Sequence, residues 1–199
     1  MRSIYIYGAS GHGLVVADIA ISCGYTDIIF VDDGDNSYIA FDEIKYNNST
    51  PLAFGIGMNS VREALFKKVE SYGFEIVTLI HPTATISKNS TIGVGTVVMP
   101  HTVVNSHTAV GIGTILNSSS TVEHENIIEE FSHISPAVAL AGDVKVGKST
   151  HIGIGTSVIQ GVTIGKNCII GAGSVVVKNI PNNSLAYGNP CKVIRKIDG

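Results

Sequence analysis

The chain has 199 residues, of which 44% are hydrophobic and 15% are charged, and its formal net charge is −3. This composition can bury a core, which argues against intrinsic disorder, and it offers no clustered basic face for nucleic acid. No stretch of about 18 apolar residues is present, so we expect no transmembrane helix and no membrane partner. Three cysteines without a CxxC spacing, and an N-terminus without a signal-peptide pattern, favour a cytoplasmic location.

The first 80 residues predict a small parallel α/β sheet. A β run at residues 3–7 is followed by the turn GASGHG, an apolar helix over 14–22 and a second strand over 28–31; a third strand over 51–56, a helix over about 60–71 and a fourth strand over 74–79 follow. Alternating strands and helices with short loops are typical of a Rossmann-like domain. We place this domain at residues 1–80 and a second domain at residues 81–199.

The turn GASGHG has the spacing G-x-x-G-x-G. It departs from the G-x-G-x-x-G of dinucleotide-binding domains, which argues against a dehydrogenase. Glycines at a helix start let backbone N–H groups approach a phosphate, and Asp32 and Asp33 close the second strand, where such folds bind ribose hydroxyls. The same residues also fit a structural turn beside a solvated acidic pair, so both interpretations stay open.

From Ile80 onward the chain repeats with a period of six. Ile, Val or Leu occupies all 17 positions from Ile80 to Val176 at this spacing, often with a small or β-branched residue two positions earlier. This pattern is typical of a left-handed parallel β-helix, in which three hexads form a triangular coil and residues 18 apart stack. We therefore expect roughly five and a half coils with the aliphatic side chains inside. No insertion interrupts the hexads, so catalytic groups must project from the coils or come from the N-terminal domain.

One stretch of the repeat, NSSSTVEHE (residues 117–125), is rich in groups that exchange protons. It sets His124 between Glu123 and Glu125, and a histidine beside a carboxylate is a candidate general base. The residue types alone also fit a surface histidine beside surface glutamates, and the hexapeptide context favours the catalytic interpretation. Gly142, 18 residues further on, is expected to leave space above His124 for a ligand chain.

Other polar residues have more than one interpretation. His133 and His151 are 18 apart and should stack, but no third ligand stacks with them, so we predict no metal site. His133 is expected to touch a ligand, and His12, in the glycine turn, to meet the second substrate. The basic cluster at residues 192–196 either meets the phosphates of a coenzyme A or balances an acidic surface.

Together these segments resemble a known family. IYIYGASGHGLV, the VDD strand end, NSSSTVEHE, EFSHIS and AGDVKVGK resemble the bacterial UDP-amino-sugar N-acetyltransferases of the hexapeptide-repeat superfamily, the PglD-type enzymes of bacillosamine synthesis, over essentially the whole chain. They are also similar to the related sialic-acid O-acetyltransferases. The resemblance implies a homotrimer that binds acetyl-CoA, the co-substrate, between adjacent prisms. It further implies acetylation of the 4-amino group of a UDP-4-amino-4,6-dideoxy-sugar held by the N-terminal domain.

The resemblance also implies roles for single residues. His124 corresponds to the general base and Glu125 to its partner. The UDP-sugar positions are Ser10, Gly11, His12, Asp32, Asp33 and Gly57, and Asn117 fits a polar contact near the acceptor amine. The acetyl-CoA positions are His133, Gly142, Ile154 and Ala172, of which Ala172 stands where PglD itself typically has glycine. Two alternatives remain open: an O-acetyltransferase acting on a sialic-acid-like or serine-like hydroxyl, and a trimeric scaffold without catalysis.

Overall fold

A computed structural model describes residues 2–197. The N-terminal part is a three-stranded parallel sheet in the order β2-β1-β3, connected by three helices. The elements are β1 (Ser3–Tyr7), α1 (Gly11–Ser22), β2 (Asp27–Val31), α2 (Phe41–Ile44), β3 (Leu52–Phe54) and α3 (Asn59–Ser71). β1 is the central strand, and four of its five residues are buried, as expected for a parallel sheet covered on both faces. The first three predicted strands and both predicted helices are confirmed.

The predicted fourth strand over residues 74–79 is confirmed only in part, because of these residues only Leu79 lies in a regular strand, and that strand belongs to the solenoid. This segment meets the sheet through a single bridge between Leu52 and Ile76. The Leu52 N–H donates to the Glu75 carbonyl at 2.9 Å and the Val77 N–H to the Leu52 carbonyl at 3.0 Å. From Leu79 onward the bonds go to the solenoid, since the Leu79 N–H donates to the Thr96 carbonyl at 3.0 Å. The short helix α2 was not predicted, because four residues are too few to show a helical period.

The remaining chain is a left-handed parallel β-helix of about six turns, built from 17 two-residue strands. The first face contains β4 (Leu79–Ile80), β7 (Val97–Val98), β10 (Ile115–Leu116), β13 (His133–Ile134), β16 (His151–Ile152) and β19 (Ile169–Ile170). The second face contains β5 (Thr85–Ile86), β8 (Val103–Val104), β11 (Thr121–Val122), β14 (Ala139–Leu140), β17 (Ser157–Val158) and β20 (Val175–Val176). The third face contains β6 (Thr91–Ile92), β9 (Ala109–Val110), β12 (Ile127–Ile128), β15 (Lys145–Val146) and β18 (Thr163–Ile164).

The corners of this prism are named by the faces they join. The first corner joins the first and second faces, the second corner joins the second and third faces, and the third corner leads back to the first face. A hairpin closes the C-terminal end: β21 (Ser184–Gly188) extends the first face, and β22 (Cys191–Lys196) pairs with it antiparallel.

The predicted aliphatic positions form the core of the prism. They are buried from Val98 to Val176, whereas Ile80 is 37% exposed because it lies at the open end of the first coil. Two positions earlier, buried hydroxyls tie successive coils together; for example, Thr96 Oγ1 donates to the Gly111 carbonyl at 3.0 Å. This bonding explains why threonine and serine recur inside an apolar prism, since buried polar groups must find partners.

A residue with left-handed backbone stands at each corner of the prism from Gly95 onward. From Gly95 to Gly173, every sixth residue has a φ between 52° and 71°, and most of these residues are not glycine. Glu125 is one of them, with φ 60°, so the corner geometry fixes the direction in which the preceding His124 leaves the coil. Non-glycine residues adopt this conformation only where the surrounding structure imposes it, which here is the stacking of coils.

The N-terminal module packs against the first face. Ile4 and Ile6 share one buried apolar cluster with Val97, Met99 and Ile115 of the prism. At the third corner, Phe66 of α3 meets Phe131 edge-to-face, with 5.4 Å between ring centroids. The module is therefore fixed on the prism by an apolar interface, and the glycine turn lies close to the first face.

Candidate active site

The glycine turn opens α1. Ser10 precedes the helix with extended backbone and its side chain makes no capping bond, so the N–H groups of the first helical turn keep no side-chain partner and suit an anion. A Cβ on Gly13 would lie 1.9 Å from the Gly8 carbonyl oxygen, whereas a Cβ on Gly11 would meet nothing within 4 Å. Gly13 is therefore required by packing, and Gly11 leaves an open approach to the helix N-terminus.

The Asp32 carboxylate holds this turn in place. It accepts hydrogen bonds from the Ala9 N–H at 2.9 Å, the Gly34 N–H at 2.9 Å and the Asn36 amide at 3.0 Å. The hydrogen bonds from Ala9 and Gly34 hold the pKa of Asp32 below its ordinary value. The residue is thus ionised and orients the glycine turn, which is more than a solvated surface charge does.

The Asp33 carboxylate faces into the module. It accepts bonds from the Tyr7 hydroxyl, from the Phe41 N–H at 2.8 Å and from Lys68 Nζ at 3.0 Å. Partial burial raises the pKa of Asp33, but these bonds outweigh that effect and leave it below its ordinary value. Its oxygens are committed to internal partners, so any ligand contact would share them.

Three histidines line up where the module meets the first face. The rings of His12 and His133 are 6.1 Å apart, and those of His133 and His151 stack at 4.7 Å, which confirms the predicted stacking of the latter pair. Asn117 Nδ2 lies 3.1 Å from His133 Nε2, and Ser135 Oγ lies 2.9 Å from His151 Nε2. His12 Nε2 and His133 Nδ1 are buried and make no well-formed hydrogen bond among residues 2–197, although the Gly57 backbone lies close enough to His133 to act on its pKa.

These histidines are neutral at pH 7. Burial, followed by repulsion from His151 when that ring is protonated and from Arg62, lowers the pKa of His133 to about 3. Burial and Arg62 lower the pKa of His12 to about 4, and the same two causes lower the pKa of His151. A base works best with a pKa near the operating pH, so these rings are suited to hydrogen bonding rather than to accepting a proton.

His124 lies elsewhere, at the second corner. Its Nδ1 is 3.0 Å from Glu125 Oε2, and the two side chains are 59% and 63% exposed in the single chain. Glu123 instead accepts a bond from Asn105 Nδ2 at 2.9 Å, so Glu125 is the carboxylate that orients the ring. With Nδ1 bound to a carboxylate, Nε2 of the neutral ring is left as the proton acceptor.

Buried Asn126 fixes the backbone on which His124 stands. It is 0% exposed, where most coils place threonine or serine. Its amide donates to the Ala141 carbonyl at 3.0 Å and to the Glu123 carbonyl, and its Oδ1 accepts from the Val144 N–H at 3.1 Å. Both the nitrogen and the oxygen of the Asn126 side-chain amide therefore bond the corner that carries His124 to the next coil.

Gly142 leaves room for the His124 ring. A Cβ at Gly142 would lie 2.5 Å from His124 Cε1 and 2.6 Å from Nε2. The sequence predicted that this glycine leaves space for a ligand chain. That space is filled by the imidazole itself, which lies across the glycine.

The expected site residues fall into separate groups on the prism. His12, Gly57, Asn117 and His133 belong to the module and the first face. Ile154 is 54% exposed and lies with exposed Ala172 at the first corner, whereas His124 and Gly142 lie at the second corner, opposite the first face. A face of about five extended residues is roughly 16 Å wide, and the packed core lies between, so one chain does not bring these groups together.

Comparison with known proteins identifies the relatives of this architecture. Residues 3–69 match the family described as "PglD N-terminal domain", and residues 143–178 match "Bacterial transferase hexapeptide (six repeats)". PerB from Caulobacter crescentus, solved with CoA and GDP-perosamine, is 35% identical, with a TM-score of 0.91 and coverage of 97% of both chains. The acetyltransferase domain of PglB from Neisseria gonorrhoeae, solved with acetyl coenzyme A, is 34% identical, with a TM-score of 0.91 and coverage of 97% of this chain and 99% of that chain.

The chain belongs to the PglD-type hexapeptide acetyltransferases. A curated member of this family, the UDP-N-acetylbacillosamine N-acetyltransferase of Bacillus subtilis (strain 168), is 32% identical over 112 residues. That alignment covers 49% of this chain and 51% of the relative, so the chain spans about half the length of the curated protein it matches.

Several site features of this PglD-type chain escaped sequence reasoning. The sequence did not indicate the burial of Arg62 or Asn126. The burial of Arg62 depends on coils distant in sequence, and Asn126 takes a place where the repeat usually has serine or threonine. Within residues 2–197, no helix is long and apolar enough to cross a membrane, and no group of three His, Cys, Asp or Glu residues is placed to hold a metal ion. The basic side chains of β22 are exposed.

Proposed function

We propose that this PglD-type chain transfers the acetyl group of acetyl-CoA to the 4-amino group of a UDP-4-amino-4,6-dideoxy-sugar, giving a UDP-N,N'-diacetylbacillosamine-type product. The observation that carries the proposal is the pairing of His124 with Glu125. It occurs on a fold whose N-terminal module places the N-terminus of α1, which suits a phosphate, beside the first face. Residues 1–80 would hold the nucleotide sugar and residues 81–199 the acetyl donor. The three free cysteines fit a reaction in the reducing cytoplasm.

In the proposed reaction, His124 acts as the general base. A sugar amine is mostly protonated at neutral pH and must lose a proton before it attacks a thioester. Nε2 of His124 takes this proton, and the Glu125 carboxylate stabilises the imidazolium that forms. The amine nitrogen bonds to the thioester carbon and loses a second proton as the carbon–sulfur bond breaks. The departing sulfur takes up one proton, so coenzyme A leaves as the thiol, the amide keeps one N–H, and the imidazolium returns its proton to solvent. No covalent intermediate with the chain is required.

Neutral histidines of the first face would bind the acceptor. His12 Nε2 and His133 Nδ1 make no well-formed hydrogen bond within residues 2–197, and Asn117 orients the His133 ring. Ser10, Gly11 and Gly57 would face the sugar nucleotide, with Asp32 holding the turn around it. Asp33 would contact the ligand only through an oxygen that it shares with its partners inside the module. The same first face and the first corner, with Ile154 and Ala172, would carry acetyl-CoA. Holding amine and thioester together supplies much of the rate acceleration in such bimolecular reactions.

The active form would be a homotrimer. Since His124 lies opposite the first face of its own chain, a complete site requires the second corner of one copy to meet the first face of another. That contact is heterologous, and three copies close it into a ring. The second face would then line the three-fold axis, and its outward side chains are small and uncharged: Val103, Thr121, Ala139, Ser157 and Val175.

Mixed trimers test this shared site. We would dissociate and reassemble His124→Ala and His133→Ala proteins in equal amounts. A site needs an intact His124 from one subunit and an intact His133 from the next, so random mixing restores about one quarter of the sites. Recovery near that level supports a site between subunits. Mixtures as inactive as either variant, although trimeric, would place both residues in a site within one chain.

A second candidate acceptor has a specific observation in its favour. PerB, which is similar to this chain over 97% of its length, was solved with a GDP-linked amino sugar. Thiol release should therefore be compared for UDP-linked and GDP-linked 4-amino-4,6-dideoxy sugars, with free sialic acid as the O-acetylation control. A higher kcat/KM with the UDP sugar supports the proposal, and preference for GDP or sialic acid would replace it. Acetyl-CoA binding without turnover on any acceptor would favour the scaffold.

A further inference from the structure

Arg62 is the one Lys, Arg, Asp or Glu side chain that is buried among residues 2–197. Only 1% of it is exposed, although it lies on an amphipathic helix. All three nitrogens of its guanidinium are bonded to oxygens. Nε donates to the Gly113 carbonyl at 2.6 Å, NH1 to the Ile56 and Gly57 carbonyls at 3.0 and 3.1 Å, and NH2 to Asn59 Oδ1, Phe131 O and Ser132 O at 2.8, 3.0 and 3.2 Å.

The Arg62 charge has no acidic partner. Neighbouring Glu63 pairs with Lys67 at 2.6 Å and with Lys148 at 2.9 Å, and none of the ion pairs within residues 2–197 includes Arg62. Burying a charge costs several kcal/mol unless hydrogen bonds replace the lost water. A structural role alone is served more cheaply by apolar packing, such as that of Phe66 on Phe131.

The acceptors of Arg62 belong to two different bodies. Ile56, Gly57 and Asn59 are in the module, at the end of β3 and the start of α3. The carbonyls of Gly113, Phe131 and Ser132 are at the third corner, in two successive coils of the prism. A planar fork of five donors can satisfy both sets in one orientation, so the guanidinium determines how the loop at Gly57 sits on the coils that carry His133.

We propose that Arg62 is a positioning residue, which sets the nucleotide-sugar module on the prism so that the acceptor amine is presented beside His133. It touches neither substrate. The proposal rests on the proposed function, because it assigns Arg62 to the same acceptor pocket. The charge also acts on that pocket, since it helps to keep the pKa of His12 and His133 low and places a cation near a glycine turn that has no lysine or arginine.

Two variants separate the fork from the charge. Arg62→Lys keeps the charge but cannot reach both sets of carbonyls, and Arg62→Met removes both charge and fork. Lys67→Met, on the exposed side of the same helix, is the matched control because it removes a cation, whose ion pair is with Glu63, and leaves every hydrogen bond of Arg62 in place. For each full-length protein we would measure thermal stability, kcat, and KM for the acceptor, and acetyl-CoA affinity in the absence of acceptor.

We expect folded Arg62→Lys protein to lose about tenfold or more in kcat/KM for the nucleotide sugar, with unchanged acetyl-CoA affinity and an unaffected Lys67→Met control. Hydrogen exchange gives a readout that needs no turnover: amides of residues 55–58 and 111–114 should exchange faster in Arg62→Lys than in wild type. If wild type is inactive on every acceptor, the proposed function fails, and the exchange result still tests whether Arg62 joins module and prism.

Two results would overturn the proposal. One is folded Arg62→Lys protein with kcat/KM within about twofold of wild type, a difference too small for a displaced acceptor, or with unchanged hydrogen exchange. The other is failure of both Arg62 variants to fold, which would make the residue a requirement for folding and not for positioning.

Discussion

Gly142→Ala is expected to disable His124 although neither His124 nor Glu125 is itself substituted. The new Cβ would lie 2.5 Å from His124 Cε1, and carbon atoms need about 3.5 Å, so the ring must move by about 1 Å. A displacement of that size costs about 10²-fold in rate, which is about 2.7 kcal/mol of activation free energy. Because the ring is largely exposed and can move aside, the free energy of unfolding should change by less than about 1 kcal/mol.

The assay is steady-state thiol release together with thermal denaturation. If Gly142→Ala acts through His124, adding it to His124→Ala should lower kcat no further, since the two changes remove the same interaction. A kcat within twofold of wild type would refute the placement of the ring across Gly142. A further loss in the double variant would show that the methyl group acts on the acetyl donor instead.

Three further outcomes are expected. Gly11→Ala should fold normally but raise KM for the nucleotide sugar about tenfold or more. Gly13→Ala, whose Cβ would lie 1.9 Å from a carbonyl oxygen, should fail to fold. Soluble yield and steady-state kinetics check both variants. The pKa of His133 is about 3 in the folded chain and about 6.5 in the unfolded chain. Between these values the unfolded state binds an extra proton, so this residue lowers the free energy of unfolding as pH drops from about 6.5 towards 3. The free energy of unfolding should fall less steeply in His133→Asn, by up to about 1.4 kcal/mol per pH unit; equal slopes would show that the native ring protonates. Ser120→Ala should leave the melting temperature equal or higher, because its buried hydroxyl has no partner in the part of the chain that the structure describes. Ser132→Ala loses a 3.0 Å bond to a carbonyl and should cost about 1 kcal/mol of unfolding free energy.

The prism could be predicted because its signal is long and regular. Each of the 17 aliphatic positions from Ile80 to Val176 repeats the same physical requirement, and the 17 short strands appear where that period places them. The predicted fourth strand of the module is longer than the observed one, because residues 74–79 carry an apolar run without a period. Such a run fits a sheet strand or a packed connector equally well, and tertiary contacts with the solenoid decide between them.

The candidate site was only partly visible in the sequence. Residue type and spacing indicated His124 with Glu125, and the stacking of His133 on His151 followed from the 18-residue coil. The bonding of Asp33 inside the module and the burial of Arg62 depend on partners far along the chain, which no local pattern shows. Likewise, the position of His124 opposite the first face follows from the order of the corners, not from the identity of the residue.

The role of His124 as the general base is tested most directly by one measurement. Thiol release from acetyl-CoA with a UDP-4-amino-4,6-dideoxy-sugar should be followed in wild type and in His124→Ala. We expect robust wild-type turnover and a decrease in kcat of about 10² or more in the variant, the usual size of general-base catalysis, with a similar melting temperature. Turnover by folded His124→Ala at the wild-type rate would contradict the assignment and place the proton acceptor elsewhere.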